Sequence, residues 1–163
     1  MSGGVLYLVI RIRGTADIHP DVEKTLDLLR LRRRYAAALY HSSLPGIRDM
    51  LRKAEYWVTY GEIDKDHLVS LIKSRGRLLG DKPITDEWIH ENLGLKRGIE
   101  ELAEMLLEGT LHYHRLEDKG VKPFFRLHPP RKGFKKSIKR HFNDNGELGY
   151  RGAHINELVA RMI

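Results

Sequence analysis

Leu6, Leu8, Ile10 and Ile12 alternate with Tyr7, Val9 and Arg11 near the start of the chain. That period of two, with one side wholly apolar, predicts a β-strand with one fully buried face. Arg13-Gly14-Thr15 ends it. Pro20 suits a first helical position, Asp21 and Glu23 suit a first turn, and Val22, Leu26 and Leu29 share a face, so a helix is predicted next. Arg30, Arg32, Arg33 and Arg34 are placed at its end, where cations complement the helix dipole. Residues 35–41, YAAALYH, mix three helix-favouring Ala with flanking Tyr and are read as a strand. A second helix is predicted from Pro45, with Ile47, Leu51 and Ala54 inward, followed by a strand over residues 56–60 ended by Gly61.

Beyond Gly61 the period becomes helical. Asp64 caps a predicted helix carrying Leu68, Leu71 and Ile72 and stopped by Gly76, and Thr85 caps another that passes through Ile89 to Gly94. Ile99, Leu102, Ala103 and Leu106 follow the spacing of an amphipathic helix, with Glu100, Glu101 and Glu104 facing out and Gly109 ending it. Ile155, Leu158, Val159 and Met162 repeat the spacing in a terminal helix. Residues 119–152 show no sustained period and hold five Gly and three Pro, so an extended arm is expected. The fold class read from this pattern is α+β. A small β-α-β-α-β core over residues 1–61, expected to fold alone, precedes an extension over residues 62–163 made of helices, the arm and a C-terminal helix.

Composition changes the picture in one place. The chain of 163 residues is 41% hydrophobic, enough for a real core in one or two domains. Its formal charge of +7 comes from 29 Lys and Arg against 22 Asp and Glu. Nine of those cations, and no acid, fall in residues 119–142, which leaves 20 against 22 elsewhere. A local block of cations marks a site for a polyanion. Within it, FFRLHPPRKGFKKSIKRHF also carries Phe124, Phe125, Phe134 and Phe142. Rings can stack on bases while Lys and Arg neutralise phosphates, His128-Pro129-Pro130 stiffens the chain, and Gly133 permits close backbone approach. A soluble disordered tail is the competing reading, but the amphipathic helix that follows holds the far end of the arm. The arm is expected to be mobile in the free protein and ordered on RNA.

No catalytic constellation is found. Asp64, Asp66 and His67 fit a helix start, His112 and His114 have no third metal ligand beside them, and Gly76–Gly80 lacks the Lys-Ser/Thr ending of a phosphate-binding loop. No cofactor, metal or small-molecule substrate is expected. Cysteine is absent, and the longest apolar run, residues 5–10, is too short to span a bilayer, so a cytoplasmic protein without membrane contact is expected.

LYLVIRIRGTADIHPDVEKTLDLLRLRRR, LPGIRDMLRKAEYWVTYGEID, GRLLGDKPITDEWI, FFRLHPPRKGFKKSIKR and GELGYRG, in this order, resemble the archaeal form of the large-subunit ribosomal protein L-thirty family, whose eukaryotic counterpart is large-subunit protein seven. The resemblance implies two helices on one face of a three-stranded antiparallel sheet. It also implies a structural role in the ribosome, binding large-subunit rRNA in the neighbourhood of 5S rRNA and beside other ribosomal proteins. Carried over by position, it offers Arg11, Arg13, Gly14 and Arg48 at one end of the core as RNA contacts. The arm adds Arg126, His128, Arg131, Lys132, Lys135, Lys136, Lys139 and Arg140, and GELGYRG adds Tyr150 and Arg151. An RNA-processing or RNA-modifying enzyme's accessory domain and a DNA-architectural protein are the alternatives.

Overall fold

In the computed structural model, which describes residues 4–163, the first strand β1 (Leu6–Arg11) is buried along its whole length and on both faces. The structural reason is a second layer of helices. The side bearing Tyr7 and Val9 packs against α1 (Pro20–Leu28), its C-cap Leu29 and α2 (Ile47–Lys53), through Leu26, Leu29, Ile47 and Leu51. The side bearing Leu6, Leu8, Ile10 and Ile12 packs against α3 (Lys65–Arg75), α5 (Ile99–Glu108) and α6 (Ile155–Met162), through Leu68, Leu71, Leu102, Leu106, Leu158 and Val159. Each such aliphatic side chain contributes roughly 1.5–3 kcal/mol when fully buried. The sheet is therefore the middle of three layers, and the extension completes the core that it was expected only to follow.

The expected three strands are present. β1 pairs antiparallel with β2 (Ala36–His41) and with β3 (Val58–Glu62), so the strand expected over residues 35–41 is present from Ala36, after a left-handed Tyr35. Among the described residues, however, the sheet has six strands in the order β4-β2-β1-β3-β6-β5. The added strands β4 (Phe125–Arg126), β5 (Ser137–His141) and β6 (Gly146–Tyr150) all come from the segment expected to be an extended arm. β4 extends one edge beside β2, while β6 joins β3 in parallel and carries β5 outside it. The short pairings and Gly-rich strand of this segment leave little periodicity for a sequence reading to detect.

The predicted helix signals mostly hold. The side chain of Asp64 accepts a hydrogen bond from the His67 amide at the start of α3, and Thr85 does the same for Trp88 at the start of α4 (Asp86–Leu93). Two signals are displaced. α2 begins at Ile47 rather than Pro45, after the left-handed Gly46. Gly61 lies inside β3 instead of ending it, because a Cβ there would sit 1.9 Å from the Gly152 carbonyl oxygen, and only glycine admits that approach.

Candidate nucleic-acid interface

The basic segment begins by closing the end of α6. The Arg131 guanidinium donates to the Ala160 carbonyl at 2.8 Å, the Arg131 amide to the Arg161 carbonyl at 2.9 Å, and the His128 amide to the Met162 carbonyl at 3.1 Å. A ring nitrogen of His128 lies 2.7 Å from the Ile163 carbonyl oxygen. A helix leaves its last carbonyls without internal partners, and cations are favourable beside them. His128 and Arg131, expected as RNA contacts, thus dock the terminal helix.

Past this anchor, Lys132 and Gly133 take left-handed conformations, with φ of 66° and 73°, and turn the chain toward β5. The Lys136 amide donates to a Glu147 carboxylate oxygen at 2.9 Å, tying the turn to β6. Gly146 permits the close crossing that follows, since a Cβ there would lie 1.9 Å from the Arg140 carbonyl oxygen. β5 is left as the outer strand, and Lys132, Lys135, Lys136, Lys139 and Arg140 are all exposed along it and its approach. Lys135 alone among these five pairs with a carboxylate among the described residues, reaching Glu157 at 3.4 Å. Charged edges also discourage strand addition by another chain. Five exposed cations, with Glu157 and Asp144 the exposed acids beside them, exceed that need and make a strip of positive potential.

Arg151 and Arg11 are corrections. Arg151 is 6% exposed, and its guanidinium donates to Thr59 Oγ1 at 2.7 Å, the Glu147 carbonyl at 2.6 Å and Glu147 Oε1 at 2.7 Å. Burial pushes its pKa down, while the Glu147 carboxylate opposes the shift. Arg11 is 2% exposed, and its guanidinium holds the Arg13, Leu31 and Gly14 carbonyls. Burial lowers its pKa as well. Neither side chain is available to a partner; both brace the protein from within.

Arg13 and Gly14 stand at the end of β1. The Arg13 guanidinium lies 4.4 Å from the centre of the Trp57 ring, and the Gly14 carbonyl accepts from the Trp57 indole at 3.1 Å. Arg48 is exposed on α2. Tyr150, the last residue of β6, is exposed, but its hydroxyl donates to Glu62 at 2.7 Å. That bond, and then partial burial, push its pKa up to about 12. The phenylalanines also correct the reading of the arm. Phe125 is fully buried and stacks on Tyr113 with ring centres 4.9 Å apart, Phe134 stacks on Tyr35, and Phe142 lies beneath the Arg151 guanidinium.

Arg126 belongs to a different group. On β4, at the opposite edge of the sheet from β5, it lines a cavity of about 330 Å³ with Arg30, Arg32, Arg33, Arg34 and Phe124. The four arginines expected to close α1 lie beyond it, since α1 ends at Leu28 with no basic residue in its last turn. The missed signal is local alternation. Leu29 and Leu31 are buried, so Arg30 and Arg32 between and after them are turned outward.

The family model described as Ribosomal protein L30p/L7e matches residues 7–58. Beyond that match, the chain is similar over nearly its whole length to proteins named large ribosomal subunit protein uL30. The Aeropyrum pernix protein is 68% identical over 97% of this chain and 99% of its own length. The Hyperthermus butylicus protein is 58% identical over 97% and 90%, and the Ignicoccus hospitalis protein 57% over 97% and 98%.

Proposed function

This chain belongs to the ribosomal protein L30p/L7e family, and from that premise we propose that it is a structural, non-catalytic constituent of the large ribosomal subunit in the cytoplasm. It binds rRNA. The observation that carries the mode of binding is the outer strand β5 with Lys132, Lys135, Lys136, Lys139 and Arg140, five exposed cations on a backbone held at both ends. Phosphates displace counterions from such a strip, and the entropy gained drives association with little dependence on base sequence. Arg13, Gly14, Arg48 and Tyr150 are further contacts of the same proposal, with 5S rRNA and other ribosomal proteins as neighbours. His128, Arg131, Arg11 and Arg151 act indirectly, by fixing the elements that present the strip.

Cosedimentation tests this reading. The chain, expressed with a small tag in an archaeal relative, is expected to remain with large subunits through a gradient at high salt. Its recovery at the top of the gradient, with the subunits depleted of it, contradicts the proposal. Crosslinking from Arg48 and from Lys139 within those subunits identifies whether 5S rRNA lies beside the protein.

A further inference from the structure

We propose that the arginine cavity at the β4 edge receives a single unstacked RNA nucleotide, with its phosphate among the arginines and its base against Phe124. This site rests on the rRNA-binding reading but is separate from the β5 strip. Five arginines line the cavity, and Glu117 is the single acid in its lining among the described residues. Glu117 is engaged by Arg30 at 2.9 Å. Arg32, Arg33, Arg34 and Arg126 form no ion pair with a carboxylate among the described residues. Arg34 is partly held by the Ile12 carbonyl at 3.0 Å and lies over Tyr35, so its charge is positioned in advance. Such a concentration of guanidinium groups, each planar and weakly hydrated, suits phosphate.

The rest of the lining selects the ligand further. Ala36, Pro123, Phe124 and Leu127 provide an apolar wall beneath the cations. Phe124 is half-buried, and the Arg126 guanidinium lies 5.8 Å from its ring centre, so ring and cation bound the same space. A free phosphate would leave that wall unused. An A-form duplex presents a broad, shallow surface that a concavity of about 330 Å³ cannot admit. The volume lies at the lower end of the roughly 300–1,000 Å³ typical of small-ligand sites, which fits one nucleotide. Unstacked bases in RNA loops and bulges are recognised by this combination of an aromatic face and guanidinium groups.

The test uses the full chain and two fluorescent probes, a short adenylate single strand and a perfectly paired RNA duplex of equal length. Phe124→Leu is expected to weaken single-strand binding by about tenfold, the loss of one base–aromatic contact, and to change duplex binding by less than about twofold. Arg33→Ala with Arg126→Ala, both at exposed positions, checks the phosphate half and should again affect the single strand more than the duplex. Equal losses on both probes, or none on either, overturn the nucleotide site. Displacement of the single strand by polyglutamate at lower concentration than by unlabelled RNA also overturns it, in favour of an acidic protein segment. Lys139→Ala with Arg140→Ala separates the two proposals: if it weakens duplex binding while the cavity variants do nothing, the nucleotide site fails and the β5 strip stands. Absence of binding to both RNAs overturns both.

Discussion

Arg11, Arg151 and Lys139 all contribute positive charge to the same chain, but burial assigns them different work. Arg151 and Glu147 form a pair with side chains only 5% exposed each, and the pair is completed by Thr59 and the Lys136 amide. Arg151→Ala removes the cation and leaves a buried carboxylate, so it is expected to cost about 3–5 kcal/mol in denaturant unfolding. Lys139→Ala, at an exposed position, is expected to cost less than about 0.5 kcal/mol. Equal costs would refute the division between bracing and exposed cations. A second residue-scale effect comes from His112 and His114, whose rings lie 5.8 Å apart. Burial is the main cause that lowers both pKa values; Arg115 and His41 add to it for His112, and His112, Arg115 and Arg30 for His114. The unfolded chain therefore takes up protons at these positions before the folded one, and stability falls as pH drops through about 6.5. Urea midpoints measured on either side of that pH should show the loss, and His112→Gln with His114→Gln should reduce it. An unchanged pH dependence in that variant would assign the acid sensitivity elsewhere.

At the scale of elements, local chemistry was legible and long-range pairing was not. Asp64 and Thr85 announce their helices because a cap acts within three residues, and the periods of α5 and α6 need only their own sequences. β4 consists of two residues and β6 contains Gly146 and Gly149, so their strand character depends on partners far along the chain. The site was legible to the same extent. Exposed Lys132, Lys135, Lys136, Lys139 and Arg140 follow from a run without acids, whereas nothing in the residue type tells a buried Arg11 or Arg151 from an exposed one. The two-sided burial of β1 also reverses one expectation. A chain truncated after Gly61 would uncover Leu6, Leu8, Ile10, Ile12 and Leu39, all packed against later residues. It is expected to lose its cooperative thermal transition by circular dichroism. A sharp transition in the truncated chain would mean that α1 and α2 suffice.

For the whole molecule, the central claim is that a three-layer body, braced internally by two buried arginines, presents β5 to rRNA as a cationic edge. The most direct measurement is the salt dependence of binding between the full chain and a large-subunit rRNA fragment. Each phosphate neutralised contributes about −0.7 to −0.9 to the slope of log K against log salt, so the five contacts of the strip contribute about −3.5 to −4.5. Replacing Lys132, Lys135, Lys136, Lys139 and Arg140 together by Gln should remove about 4 from the magnitude of that slope, one per lost phosphate contact at most. The fold should persist, because all five side chains are exposed. A slope that keeps its wild-type value in the folded variant would contradict the account, since the phosphates would then be held by another face.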